Sequence, residues 1–376
     1  MKILTISVPL GYKMLSKNFS INFMTKTRIS KDALSDELLE LEKDFYYPIE
    51  TIFIGKNSSG KTSTLELIVT AFEFLRTGRI ENPFLNDKEL FEIEIVFYDK
   101  GFIYEYTGTF VKELAVNDKY LVIKNETLGK TTIKESYKKD LSNASFAAEK
   151  SFSPCFEGDT SMIARIIDNI GFNVMLDKVG DKATLFDIFY DYLTKDTFDA
   201  LVHLFDDSVE FIEPYRESKE AKGYRFKRVG ANSPIIVKDD YLESSLSNGT
   251  IRGINLYGLS IMAFKVGGTL VIDEVEKNFN RNLIENLLMM YKDKTINKYN
   301  ASIIYSTHYS ELLDTNNRCD NVNVLHREGT TITLKNMCTD YEFRTDMLKS
   351  GSFNQNAFDT LINYNRLMEL KETLRK

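Results

Sequence analysis

Residues 52–68 constrain the fold more than any other part of this chain. An apolar run, Ile-Phe-Ile, precedes Gly-Lys-Asn-Ser-Ser-Gly-Lys-Thr, and an amphipathic segment follows. The apolar run predicts a buried strand over 51–54, and apolar residues at helical spacing predict a helix over 63–75. The eight residues between them fit the phosphate-loop pattern G-x-x-x-x-G-K-[ST] at every required position. The sequence therefore predicts a strand, a phosphate-binding loop and a helix, in that order.

The residue types of this loop predict its chemistry. Glycines let the backbone curl into a nest of amides for phosphate oxygens, and the following helix directs its positive N-terminal end at the same phosphates. Lys61 would reach the β- and γ-phosphates of a nucleotide, and the Thr62 hydroxyl would be a ligand of Mg²⁺. We therefore expect phosphate binding by Gly55, Lys56, Asn57, Ser58, Ser59, Gly60, Lys61, Thr62 and Ser63.

Two adjacent carboxylates follow another predicted strand. The apolar run 269–272 leads directly into Asp273 and Glu274, and ligands of α/β sheets bind at the carboxyl ends of strands. Asp273 would hold Mg²⁺ through its water shell, and Glu274 would polarise an attacking water molecule. The alternative is a strand end followed by a solvated turn. We interpret Glu276, on the same turn, as a solvated carboxylate.

A histidine follows a third predicted strand. The apolar run 302–305 ends at Ser-Thr-His, so His308 could donate a hydrogen bond to a γ-phosphate and help to position Glu274 and the water molecule. A structural role is the usual alternative for a single histidine. We expect such a role for His203 and His326, because neither follows a comparable strand.

Residues 246–250 read Leu-Ser-Asn-Gly-Thr and precede an apolar segment at 251–264 that predicts a helix. Ser247, Asn248 and Gly249 could offer a hydroxyl and backbone amides to an anion at the start of that helix. An ordinary helix N-cap is the alternative, and the local sequence by itself favours it.

The order of these four segments resembles the ATP-binding-cassette (ABC) ATPase head, a P-loop NTPase. The resemblance implies ATP and Mg²⁺ as cofactors, with Lys61, Glu274 and His308 as catalytic residues. It also implies a head-to-tail dimer, because in that family the Leu-Ser-x-Gly segment of one subunit closes over the γ-phosphate held by the other. Asn248 stands where the family more often has glycine, and Thr250 where it has glutamine.

Other features resemble one branch of that family, the stand-alone AAA-type ATPases related to overcoming-lysogenization-defect and abortive-infection proteins of phage defence. There is no room between the motifs for long coiled-coil arms, and the tail reads Arg344-Thr-Asp…Gly351-Ser-Phe. No glutamine marks a Q-loop near 83–87. We expect no Toprim-like nuclease domain after His308, so the resemblance implies a separate nuclease or toxin as effector, with DNA or a phage component as trigger.

The pattern along the whole chain predicts an α/β fold. Strands alternating with helices favour a mostly parallel core sheet, and apolar alternation at 91–97 and 102–109 predicts a hairpin in an antiparallel β-subdomain. Leucines at helical spacing predict a short helix over 31–43. We expect four segments: 1–136 with the loop and the β-subdomain, 137–208 as a helical insert with helices at 162–170, 184–194 and 197–204, 209–340 with the other site residues, and 341–376 as a helical tail.

Composition limits the alternatives. A net charge of -7 argues against a basic field for nucleic acid over the whole molecule. The three cysteines form no CxxC pair, so neither a zinc site nor a disulfide framework is predicted. No apolar run approaches ~18 residues, so we expect no membrane partner and a cytoplasmic location. Two rival functions stay open, a DNA repair or recombination ATPase that binds DNA directly and, less favoured, a transporter ATPase subunit.

Overall fold

The structure is a computed structural model of a mixed α/β chain that forms two compact units. The first unit comprises Met1–Ile170 and Ile304–Lys376, and the second comprises Gly171–Ile303. The residues described are 1–27, 29, 36–81, 90–112, 119–138, 140–142, 144–152, 158–161, 163, 174–176, 185–216, 221–277, 280–341, 343–344, 347–360 and 364–375.

The strands are, in chain order, β1 (Lys2–Val8), β2 (Phe19–Asn22), β3 (Leu38–Glu42), β4 (Phe45–Pro48), β5 (Glu50–Gly55), β6 (Leu90–Asp99), β7 (Phe102–Val111), β8 (Val122–Thr132), β9 (Ala147–Phe152), β10 (Val174–Leu176), β11 (Val209–Arg216), β12 (Ala221–Arg228), β13 (Ile235–Val237), β14 (Thr269–Ile272), β15 (Ser302–Ser306), β16 (Val322–Glu328) and β17 (Thr331–Asn336). The helices are α1 (Lys61–Thr77), α2 (Phe186–Tyr192), α3 (Lys195–Phe205), α4 (Asp239–Ser245), α5 (Asn248–Val266), α6 (Arg281–Lys292), α7 (Lys349–Asn354) and α8 (Tyr364–Leu374).

An antiparallel sheet of order β2-β1-β6-β7-β8-β9 lies in the first unit. The predicted hairpin is present as β6 and β7. Lys100 and Gly101 at its turn have φ values of 46° and 85°, the left-handed pair that a tight two-residue turn needs to match strand twist. The apolar alternation of β6 buries Phe91, Ile93 and Phe97, so one face of this sheet packs into the core.

The strand that leads into the phosphate loop belongs to a second sheet of the first unit. Strand β5 lies between β15 and β16, and β17 follows at the edge. The pairing of β5 with β16 is parallel and sets Gly55 opposite Leu325. Because parallel strands end at the same edge, the start of the loop and the β16–β17 hairpin are neighbours.

The second unit contains a parallel pair, β10 with β14, and an antiparallel sheet of order β11-β12-β13. Helix α5 is buried on almost all sides. A Cβ atom at Gly253 would lie 2.3 Å from the Phe205 ring, and one at Gly258 would lie 2.7 Å from the Phe189 ring. Two glycines therefore allow close approach of two aromatic side chains. None of the helices in the described ranges is long and apolar enough to cross a membrane.

Two local predictions need correction or limitation. The prediction of a helix over 31–43 is wrong at its C-terminal end, because Leu38–Glu42 is strand β3 and pairs with the aromatic strand β4. This pairing outweighs the helical propensity of leucine and glutamate. In the predicted helical insert, α2 and α3 agree with the helices expected at 184–194 and 197–204, but β9 and β10 are strands that the pattern did not indicate. The helix at 162–170 falls outside the described residues, except at Ile163.

Candidate functional site

The phosphate loop of the first unit runs from the end of β5 to the start of α1, and its backbone is strongly curved. Ser58 and Gly60 have φ values of 62° and 96°, in the left-handed region that bulky side chains avoid. A Cβ atom at Gly60 would lie 2.5 Å from Ile332 Cδ1, and one at Gly55 would lie 2.6 Å from the Leu325 carbonyl oxygen. Both glycines of the motif are therefore required by their surroundings, in agreement with the nest predicted from the sequence.

Lys61 folds back over this loop. Its Nζ donates to the Gly55 carbonyl at 2.9 Å and to the Lys56 carbonyl at 3.1 Å, and the residue is 6% exposed. The ammonium group is thus held at the beginning of the loop. Ser59 is also buried, and its hydroxyl makes no hydrogen bond within the described part of the chain, so the loop contains an unused polar group.

Helix α1 begins with a positive end that faces the loop. The left-handed Gly60 is its N-cap, and its first turn carries no acidic residue. The Thr64 backbone N–H and hydroxyl both contact the Gly60 carbonyl at 2.9 Å, which fixes the transition from loop to helix. Thr62 is exposed and Ser63 is half-buried at this end. Amides at a helix N-terminus stabilise anions, so the geometry suits a phosphate group.

A cavity of about 570 Å³ lies beside the first half of the loop, with the β16–β17 hairpin and Asp359 as its other walls. Two basic side chains that line the cavity contact other residues of its wall. Arg327 Nη1 donates to the Ser58 carbonyl at 3.3 Å, and Lys56 Nζ lies 3.0 Å from Asp359 Oδ1. Neither Arg327 nor Asp359 is predicted as a site residue from the sequence. An isolated charged residue far along the chain carries no local signal of this proximity.

His326 has a structural environment, as the sequence analysis expected. Its Nε2 contacts the Tyr341 hydroxyl. Burial, together with the positive charge of Lys335, lowers the pKa of His326 below its ordinary value. The side chain is therefore largely neutral at physiological pH and fits a hydrogen-bonding role beside the cavity.

The Thr-His pair lies in the first unit, immediately after β15. The Thr307 N–H donates to the Phe53 carbonyl at 3.1 Å, and the Thr307 hydroxyl accepts from the Tyr309 N–H at 2.9 Å. Thr307 is fully buried, so these bonds hold the end of β15 beside β5. His308, half-buried, follows directly. The structure thus places His308 at the end of the strand that neighbours the loop strand.

The carboxylate pair lies in the second unit, at the end of the fully buried strand β14. Glu274 is exposed and has a φ value of 51°, which is uncommon for a residue with a long side chain and costs about 1–3 kcal/mol. Val275 is fully buried and the Lys277 N–H donates to the Glu274 carbonyl at 2.9 Å, so the turn is held in this form. Asp273 is half-buried. Glu276 is also half-buried, whereas the sequence suggested a fully solvated carboxylate.

The buried Arg252 of α5 contacts the same turn. Its Nη2 lies 3.3 Å from the Glu274 carbonyl oxygen and 3.5 Å from that of Asp273. These contacts link the helix that follows the Leu-Ser-Asn-Gly segment to the backbone that carries the two carboxylates. Arg252 is therefore a supporting residue that the sequence analysis missed, since a single arginine in an apolar helix gave no sign of its partner.

Ser247 is the N-cap of α5 in the second unit. Its Oγ accepts from the Thr250 N–H at 3.0 Å, so the capping interpretation of this segment is observed. Ser247 and Asn248 are exposed and Gly249 is half-buried, and the first turn of α5 carries no acidic residue. The start of the helix is thus accessible to an anion, and a capping role does not conflict with such binding.

Comparisons with known proteins add little to these observations. No protein-family model and no curated protein matches the chain. Among solved structures, it is similar to the SMC head domain from Thermotoga maritima, at 14% sequence identity and a TM-score of 0.42, over 89% of this chain and 99% of that one. The functional conclusion therefore depends on the site residues themselves.

Proposed function

We propose that this chain binds and hydrolyses ATP as an ABC-type ATPase. The observation that carries the proposal is the preformed phosphate loop, in which Lys61 lies over a backbone nest that requires Gly55 and Gly60. A loop of this kind before a helix N-terminus selects for phosphate groups. The start of α1 bears no acidic residue that would repel them.

The residues present also suit a magnesium nucleotide. Hydroxyl and carboxylate oxygens are the hard ligands that Mg²⁺ prefers, so Thr62 and Asp273 are the residues that we propose would hold the ion, which when bound would neutralise negative charge on the phosphates. Glu274 would accept a proton from water, and His308 would donate a hydrogen bond to a phosphate oxygen. The left-handed backbone at Glu274 supports a functional role, since such strain is concentrated at functional sites.

The proposal extends to a nucleotide-driven switch formed by two copies of the chain. Its support is the order of the motifs and the accessible N-terminus of α5, where Ser247, Asn248 and Gly249 would meet the nucleotide of a second copy. Closing and opening of the pair would control a separate effector, a nuclease or toxin, in defence against phage. This last step depends on the resemblance of the motif order and of the tail.

The test is the Glu274→Gln variant, with Glu276→Gln as the matched control. Loss of a general base slows a reaction by roughly 10²–10⁴-fold, so Glu274→Gln should lose ATP turnover to that extent while retaining ATP binding. It should also accumulate as an ATP-dependent dimer in light scattering. Glu276→Gln should retain turnover. Unchanged turnover in Glu274→Gln, or equal losses in both variants, would contradict the assignment.

A further inference from the structure

One carboxylate lies against the phosphate loop from the C-terminal part of the first unit. Asp359 forms a wall of the cavity beside the loop, and its Oδ1 is 3.0 Å from Lys56 Nζ. Lys56 is the first residue after the motif's opening glycine. A negative group thus occupies the neighbourhood of a loop whose chemistry favours anions.

The position of Asp359 is fixed by its neighbours in the chain. Phe358 is 1% exposed and packs edge-on against Tyr341, with 5.1 Å between ring centroids. The Asp359 N–H donates to the Asn356 carbonyl at 3.1 Å, and both of these residues have positive φ values. A buried aromatic anchor and a tight turn therefore present the carboxylate to Lys56.

The carboxylate is charged at neutral pH. The hydrogen bond from Lys56 and the positive charge of the same residue lower the pKa of Asp359 below its ordinary value. The Asp359 side chain is 77% exposed and that of Lys56 is 40% exposed. Because solvent screens exposed ion pairs, this contact is weak enough for a ligand to compete with it.

The position of Lys61 indicates which end of a nucleotide lies nearest to this pair. A phosphate-loop lysine reaches the β- and γ-phosphates, and Lys61 Nζ lies against the carbonyls of Gly55 and Lys56. The terminal phosphate is therefore expected at the end of the loop that carries Lys56. A neighbouring carboxylate opposes that added charge, and ADP lacks the terminal phosphate.

We propose that Asp359 acts as an internal competitor of the terminal phosphate, holding Lys56 and lowering the affinity of the loop for ATP more than for ADP. The inference rests on the proposed ATPase function and adds a regulatory residue to the same site. Coupling between two sites is reciprocal. ATP should therefore weaken the Lys56–Asp359 contact and loosen residues 352–360, whereas ADP should leave them docked.

The test compares Asp359→Asn with Glu328→Gln, which removes a carboxylate from another wall of the same cavity. Dissociation constants for ATP and ADP would be measured by titration of the full chain with Mg²⁺ present. Asp359→Asn should tighten ATP binding by about two- to fivefold, the range for an exposed ion pair, with a smaller change for ADP. Glu328→Gln should change the ratio of the two constants less than Asp359→Asn does.

Each outcome separates the two proposals. Unchanged ATP affinity in Asp359→Asn, or equal changes for ATP and ADP, would overturn the inference and leave the ATPase proposal standing. A wild-type chain that binds neither nucleotide would overturn both. Hydrogen exchange gives a second readout: peptides covering 352–360 should exchange faster with ATP than with ADP, and identical exchange would also count against the inference.

Discussion

The packing of Gly60 against Ile332 makes the phosphate loop sensitive to a single methyl group. In a Gly60→Ala variant the new Cβ would lie 2.5 Å from Ile332 Cδ1 and 3.1 Å from Cγ2. Ile332 is fully buried, so it has little room to move. A φ value of 96° at this position adds backbone strain of its own.

These two effects have separate magnitudes. Left-handed backbone costs an alanine about 1–2 kcal/mol, and overpacking of a buried contact costs about 1–3 kcal/mol. We therefore expect Gly60→Ala to lower the free energy of unfolding by about 2–5 kcal/mol, or to deform the loop and abolish ATP binding. Ile332→Val removes Cδ1 and by itself should cost about 0.5–1.5 kcal/mol.

The double variant isolates the steric part. With Cδ1 absent, Gly60→Ala/Ile332→Val should be more stable than the sum of the single changes by roughly 1–3 kcal/mol, whereas the backbone strain stays. Denaturant unfolding would be followed by circular dichroism and by tyrosine emission, because the chain has 20 Tyr and no Trp. Additive effects, or a Gly60→Ala variant with wild-type stability and ATP affinity, would refute this reasoning.

Two further predictions concern the second and the first unit. Ser247→Ala should lose the cap on the Thr250 N–H and about 1 kcal/mol of stability. Ser247→Asp should keep the cap but impair ATP hydrolysis, because its negative charge would repel phosphate. Equal ATP hydrolysis by Ser247→Asp and the wild type would exclude contact between this segment and a nucleotide. Burial would raise the pKa of Asp320, but the hydrogen bond and the positive charge of Arg318 outweigh burial and lower the pKa below the ordinary value of 3.8. The stability that the Arg318–Asp320 pair contributes is therefore present above pH 3.8 and is lost as the pH falls through the lowered pKa. Asp320→Asn should cost about 3–5 kcal/mol at neutral pH, because it leaves the buried Arg318 without its carboxylate partner. The stability of this variant should depend less on acid pH than that of the control Asp44→Asn, and urea unfolding between pH 2 and 7 checks both points.

Local chemistry accounts for what the sequence predicted well. The curvature of the phosphate loop follows from its two glycines, and the β6–β7 hairpin follows from strict alternation around Lys100-Gly101. The cap at Ser247 likewise depends on a residue three positions away. In each case the partners are close in sequence, so a short pattern contains the necessary information.

Long-range pairing accounts for what the sequence did not predict. The strand Leu38–Glu42 forms because an aromatic strand pairs with it, and the leucine spacing alone favoured a helix. Asp359 and Arg327 reach the loop through folds of the chain that no local pattern records.

Phosphate release from MgATP, measured at steady state for the wild-type chain and for Lys61→Ala, is the most direct test of ATP hydrolysis by this chain. Lys61 is held over the loop by the carbonyls of Gly55 and Lys56, and the ATPase proposal requires its charge at the β- and γ-phosphates. We expect sustained phosphate release by the wild type and only background release by Lys61→Ala. Wild-type protein that releases no phosphate, or a Lys61→Ala variant that releases it equally fast, would contradict the ATPase proposal.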